Sequence, residues 1–264
     1  MSAAAAWSAL PRVAGVLRGR RVVAGIGGVA GLITMWGLAS VFVPGGSVPS
    51  PLGTVSQLLH DGWGFYGPHV RGTGWEALRG FVWGNLIAFL LAATVIVVPP
   101  LERVVIQIGV ASYCLPVIAV GPILTMVLAG DTPMVAMAAL QVLFTSLIGV
   151  LSGLRAADAT SLELIWAYGG GRWQQLMKVR LIAALPSCFA ALKIAAPSAV
   201  LGAIIGEFLG RVDRGLGLAM VVAQQQEQTE RLWGIALVAG GLAGAGYGAV
   251  ALVARFAIPW GDGL

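Results

Sequence analysis

Six stretches of this chain run almost free of charge for about 18 to 26 residues each, at 22–43, 81–98, 104–129, 133–151, 181–206 and 232–254. A run of that length and polarity is long enough to cross a bilayer as a helix, and a helix satisfies its own backbone polar groups where no water is present. Composition agrees: 58% of the 264 residues are hydrophobic and 10% are charged, against roughly 25% charged in a soluble domain. The mean hydropathy is +0.89. The expectation is an all-α, polytopic membrane protein with about six transmembrane helices, a single transmembrane domain over 1–264, and no room for a separate soluble domain.

Charge placement gives an expected orientation. The first run follows Arg12, Arg18, Arg20 and Arg21. At 22 residues it exceeds a signal-peptide core of about 7 to 15, so it is read as an uncleaved anchor. Threading six spans from a cytoplasmic N-terminus puts 10 of the 16 Lys and Arg inside, namely those four with Arg103, Arg155, Arg172, Lys178, Arg180 and Arg255. Five fall outside (Arg71, Arg79, Arg211, Arg214, Arg231), and Lys193 lies within a span. The positive-inside rule favours this arrangement, with both termini cytoplasmic. The net charge of +5 therefore reflects topology; no basic stripe interleaved with aromatics calls for nucleic acid.

The connections differ. Pro44 to Pro51 is a rigid turn, and 52–79 is a mixed amphipathic stretch expected at the outer interface, where Trp63, Tyr66 and Trp75 suit the headgroup belt. Pro99-Pro100 and Gly130-Asp131-Thr132-Pro133 are tight turns. That leaves about 154–180 as the one sizeable cytoplasmic loop. It predicts a short helix over about 159–168 lying along the membrane, with Gly169, Gly170 and Gly171 letting the chain turn without a Cβ penalty. The plain alternative is an interfacial helix with a glycine C-cap.

In that loop Glu163, Gly169 and the Val179-Arg180-Leu181-Ile182 tail resemble the cytoplasmic signature of binding-protein-dependent ABC importer permeases. Leu164-Ile165 stand where the signature has paired alanines and Ile182 where it has proline, with Pro186 a later helix breaker. The likeness continues through Val48-Pro49-Ser50-Pro51, Leu78-Arg79-Gly80-Phe81, Leu115-Pro116 to Gly121-Pro122, Gly206-Glu207-Phe208-Leu209-Gly210, Arg214-Gly215-Leu216-Gly217 and Ile258-Pro259-Trp260. It is similar to the branch serving sulfonates, taurine, nitrate, thiamine's pyrimidine and riboflavin. The resemblance implies a type I importer permease in the cell membrane, paired with a second permease copy, two ABC ATPase subunits and an extracytoplasmic substrate-binding protein. It places ATPase coupling on Glu163, Tyr168, Gly169, Gly170, Arg172 and Trp173, with ATP and Mg on the partner ATPase and no cofactor on this chain.

Other residues carry two readings each. A lysine at mid-bilayer costs about 2.5 to 3.5 kcal/mol, so Lys193 either lines an inner gate or translocation path, or snorkels and pairs within a dimer. Glu207 lies 14 residues beyond Lys193, about 21 Å along a helix, and is expected to pair with Arg211 or Arg214. Pro116 and Pro122 kink a span, as hinges on the path or as static packing, and so does Pro197. The Gly240, Gly244, Gly248 stripe and the Gly27, Gly31 pair read as close helix packing.

Several chemistries find no support. The two lysines, Lys178 and Lys193, follow no phosphate-cradling glycine loop, so energy from ATP is expected on another chain. Cys114 and Cys188 lie in different spans without C-x-x-C spacing. His60 and His69, with Asp61, form at most a surface array, and no metal site is expected. An ATP-independent secondary transporter or channel is the alternative class; it needs intramembrane carboxylates, and the expected spans place none in their middles. A non-transporting scaffold is the more distant one.

Overall fold

A computed structural model describes residues 10–43, 46–210 and 213–258, with side chains from residue 25 onward. The described elements are helical: α1 (Leu10–Phe42), α2 (Pro51–Val97), a 3-10 turn (Pro99–Leu101), α3 (Glu102–Cys114), α4 (Val117–Val127), α5 (Thr132–Arg155), α6 (Ala159–Ala167), α7 (Arg172–Gln175), a π turn (Leu176–Arg180), α8 (Leu181–Leu209), α9 (Leu216–Gln225) and α10 (Thr229–Ala257). Among the described residues five helices are long and apolar enough to cross a membrane, or six if the bent α3 and α4 together make one span. Pro259, Trp260, Arg211 and the Pro44-Gly45 part of the expected turn lie outside the described residues.

The chain divides into two units, Met1–His60 with Gln228–Gly234, and Asp61–Glu227 with Ile235–Leu264. In the first, the Trp36 indole N–H donates to the Pro49 carbonyl at 3.0 Å, and its ring stacks on Trp233 with centroids 5.4 Å apart. The absent side chain of Gly53 leaves room for the Glu230 carboxyl.

The second unit is organised around α5. A Cβ on Gly84 of α2 would lie 2.7 Å from the Ala139 carbonyl, one on Gly202 of α8 2.6 Å from Ala138 Cα, and one on Gly206 2.8 Å from Met134 Cα. Glycine and alanine at these crossings let backbones approach, and close van der Waals packing is the main force joining helices in lipid. The Ala138, Val142, Ala195, Ala199 and Ala203 side chains fill one layer, and Leu147, Val150, Leu151, Leu154, Leu176 and Ala184 a second. Two ion pairs sit at different heights of this bundle: Arg79 with Asp131, and Arg155 with Glu102 at 2.5 Å.

Four expectations need correction. The predicted span 104–129 is two helices bent by 96°, because Leu115 and Pro116 are extended: proline disfavours helical dihedrals in the residue before it, and Pro116 caps α4 rather than kinking a continuous span. The stretch 52–79 is helical and belongs to α2, whose dihedrals break only at Gly62 (φ 61°). Within it Tyr66, Thr73, Glu76 and Ala77 are buried while Trp63 and Trp75 stay exposed, so Tyr66 is a core residue and not part of a headgroup belt. Pro186 lies inside α8 and ends nothing. Nor do the glycine stripes pack within the chain: Gly27, Gly31, Gly240, Gly244 and Gly248 have open space where a Cβ would stand.

The α5 and α8 crossing gives a direct expectation. Gly202→Val forces side-chain atoms into the α5 backbone and should destabilise by about 1 to 3 kcal/mol, the usual cost of overpacking. Gly248→Val, at an open position, should change stability by less than about 0.5 kcal/mol. Thermal unfolding of the two variants in one detergent compares them.

Candidate functional site

The loop between α5 and α8 is built from its caps inward. Asp158 is the N-cap of α6, with extended dihedrals, and its carboxylate accepts from the Ser161 N–H at 3.0 Å and the Ser161 hydroxyl at 3.1 Å. That satisfies one of the N–H groups a helix start leaves without an internal partner. These bonds, the Ser161 backbone N–H foremost, hold the Asp158 carboxyl below its ordinary range. The C-cap is Tyr168, and the chain then reverses at Gly169, whose φ of +77° lies in the left-handed region open to glycine. The N–H groups of Gly169 and Gly170 donate to the Trp166 and Ile165 carbonyls at 2.9 and 2.8 Å. Gly170 is buried, and a Cβ there would stand 2.7 Å from the Ile165 carbonyl.

The returning strand of the loop fixes α6 to the bundle. The Gln175 side-chain amide donates to the Leu162 carbonyl at 3.0 Å, and the Arg180 guanidinium donates to the Leu154 carbonyl at 3.0 Å. Leu176, buried, enters the layer formed by Leu151, Leu154 and Ala184. The loop is therefore tied at both ends, while its outward side is unusual for so well-held a segment. Trp166 is 74% exposed and Tyr168 85%, with Leu164 and Trp173 also exposed, and Glu163 and Arg172 beside them.

The sequence-predicted loop residues thus fall together: Glu163 on α6, Tyr168, Gly169 and Gly170 at its end, Arg172 and Trp173 on α7. Lys193 and Glu207 sit elsewhere, on α8. Lys193 is half-buried and has no ion pair among the described residues. Pro122, within α4, lines a cavity of about 480 Å3 with Met126, Pro133, Met134 and Leu209, whereas Pro116 does not. Cys114 is exposed and Cys188 buried, both as free thiols.

Of the two partners expected for Glu207, Arg211 lies outside the described residues. Arg214 is not among the groups bonded to Glu207, whose carboxylate is 1% exposed, accepting from the Thr73 hydroxyl at 2.6 Å and the Gly217 N–H at 2.5 Å. Beside it stands Glu76, 5% exposed and one helical turn from Thr73 on α2. Two carboxyl groups therefore lie buried together, Glu207 close to the end of α8. His69 is no surface ligand: its Nδ1 accepts from the Gly215 N–H at 3.1 Å. Among the described residues no three His, Cys, Asp or Glu gather as a metal site.

Sequence reasoning missed Asp158, Gln175, Thr73 and Glu76. An Asp with a Ser three residues on, at the start of a short helix, was a readable cap signal for the first. Nothing local marked the others, since their partners lie 13 to 143 residues away.

Residues 84–258 match the family described as binding-protein-dependent transport system inner membrane component. A probable ABC transporter permease protein of Haemophilus influenzae is 31% identical over 162 residues, 61% of this chain and 64% of that protein. The riboflavin transport system permease protein RibX of Chloroflexus aurantiacus is 31% identical over 174 residues, 59% and 64% of the two chains. The formylaminopyrimidine transport permease protein ThiX of Halalkalibacterium halodurans is 29% identical over 171 residues, 64% and 68%. The matched region is thus less than two thirds of the length of the first two relatives.

The Asp158 cap is expected to titrate. Its folded carboxyl is held down, so its contribution is present above the unfolded carboxyl range and is lost as pH falls through the lower folded value. Asp158→Ala should speed hydrogen exchange at the start of α6 at neutral pH. Asp158→Asn, still a cap, should keep most of the protection and remove its acid sensitivity.

Proposed function

The chain belongs to the family of binding-protein-dependent transport system inner membrane components, and on that premise we propose that it is the membrane-spanning permease subunit of an ABC importer. It moves a small solute inward by alternating access: closure of a partner ATPase pair displaces α6, the helices rock, and a central cavity switches sides. The working assembly contains a second permease copy, two ATPase subunits that carry ATP and Mg, and an extracytoplasmic substrate-binding protein. The substrate is a small organic anion or a vitamin precursor, in keeping with the riboflavin and formylaminopyrimidine named for two relatives. Lys193 faces the path or an inner gate, where its charge suits an anion.

The observation that carries this reading is the outward side of the 159–173 segment. Leu164 and Trp166 of α6, Tyr168 at its end and Trp173 of α7 are exposed on a loop that is capped by Asp158 and tied back through Gln175 and Arg180. A rigid, apolar, charge-flanked projection transmits a push; a loose loop absorbs it. Glu163 supplies a carboxylate for a cationic or hydrogen-bond donor group on the ATPase, worth about 1.5 to 3 kcal/mol as a charge-assisted contact. The buried Glu76 and Glu207 supply the kind of carboxylates that an ion-coupled secondary transporter needs, but that class has no use for the aromatic projection.

Two expected outcomes test the proposal. Glu163→Lys and Gly169→Asp should insert and dimerise normally yet lose ATPase co-purification about tenfold or more, or hydrolyse ATP without uptake; wild-type assembly and uptake in both would return the loop to an interfacial helix. For orientation, single cysteines replacing Val55 and Tyr168 in a cysteine-free background should label from outside and inside respectively in intact cells. External labelling at position 168 would contradict the cytoplasmic placement.

A further inference from the structure

Glu207 and Glu76 form a pair that the transport reading does not use, and their hydrogen bonds are directional. Glu207 accepts at both oxygens, from the Thr73 hydroxyl on Oε1 and from the Gly217 N–H on Oε2. The Thr73 oxygen in turn accepts from the Leu216 N–H at 2.8 Å, so its own proton is committed to Glu207. Two donors on one carboxyl group favour its ionised form. Glu76 stands beside Glu207, one helical turn from Thr73 on α2, so of the two acids it is Glu76 that keeps a proton. Two carboxylates in contact, both nine-tenths or more buried, cannot both ionise. Glu76 Oε2 has no hydrogen-bond partner, as suits the carbonyl oxygen of a neutral acid better than half of a buried anion.

The pair lies against one turn. Gly215 and Gly217 stand where any Cβ would run into the Glu207 side chain, and the Gly215 N–H is taken by His69. Gly72 of α2 has the Arg214 carbonyl 3.2 Å from where its Cβ would be. The turn so held carries Arg214 to the rim of an open cleft of about 770 Å3, lined also by Arg71, Trp75 and Leu78. The other charged groups facing the pair are Arg79 and Asp131, which are paired with each other, and Arg214 faces His69.

We propose that Glu76 and Glu207 bind one proton between them, carried by Glu76, and that Glu207 so partnered is the positioning residue that holds the 215–217 turn and sets Arg214 at the cleft. Neither acid meets the solute. The inference is independent of ATPase docking at α6, so its failure and the failure of that reading show in different measurements.

The test is made on the assembled complex in lipid. Infrared spectroscopy at neutral pH should find the carbonyl band of a buried neutral carboxylic acid, absent in Glu76→Gln. Hydrogen exchange at Leu216 and Gly217 should be slow in the wild type. It should stay slow in Glu76→Gln, whose amide N–H donates where the acid O–H did. In Glu207→Gln the side-chain NH2 must face either the Thr73 hydroxyl or the Gly217 N–H, and exchange should accelerate about ten- to a hundredfold, the loss expected for a hydrogen bond to a charged group. If Glu207→Gln does not assemble, Thr73→Val serves instead, with faster exchange expected at Leu216. Absence of the acid band, loss of protection in Glu76→Gln, or wild-type protection in Glu207→Gln and Thr73→Val would each overturn the proposal.

Discussion

The close contact of α5 with α2 and α8, backbone against backbone at Gly84, Gly202 and Gly206, is the interaction on which the second unit depends. In lipid there is no hydrophobic drive to bring helices together, so association rests on packing and on hydrogen bonds between them. Removing Cβ atoms at the crossings increases that packing and fixes where along each helix the neighbours meet. A helix pair located this firmly can carry a displacement from one end to the other without dissipating it.

Each end of that pair presents a different kind of feature. At one, Leu154 and Leu176 anchor a loop whose α6 helix is capped, turned by Gly169 and faced with aromatic residues. At the other, the end of α8 delivers Glu207 to Thr73, Glu76 and the Gly215 to Gly217 turn. The first is an exposed aromatic surface, the one proposed to meet an ATPase, and the second is a polar cluster closed within the chain. An importer permease has to receive a push on one side and reshape a solute path on the other.

Much of this was legible in the residues. The apolar runs gave the all-helical membrane class, and the glycines with Glu163 gave the α6 helix to within a residue of its end at Tyr168. Legibility stopped where two segments distant in the chain supply one structure. The residues 52–79 look amphipathic because Thr73 and Glu76 bury polar groups against Glu207, more than 130 residues away; read locally, the same polarity suggests a water interface. The run 104–129 looks like one span because hydropathy is blind to the extended dihedrals that Leu115 and Pro116 adopt.

The central claim is that the α6 projection meets an ATPase. A photoreactive amino acid replacing Trp166 tests it most directly in membranes where this chain is assembled with an ABC ATPase partner. A crosslink to that subunit is expected, its yield changing when ATP is trapped, and none from the same group placed at Gly248. Crosslinking of position 166 to lipid alone, unchanged by nucleotide in an assembled complex, would contradict it.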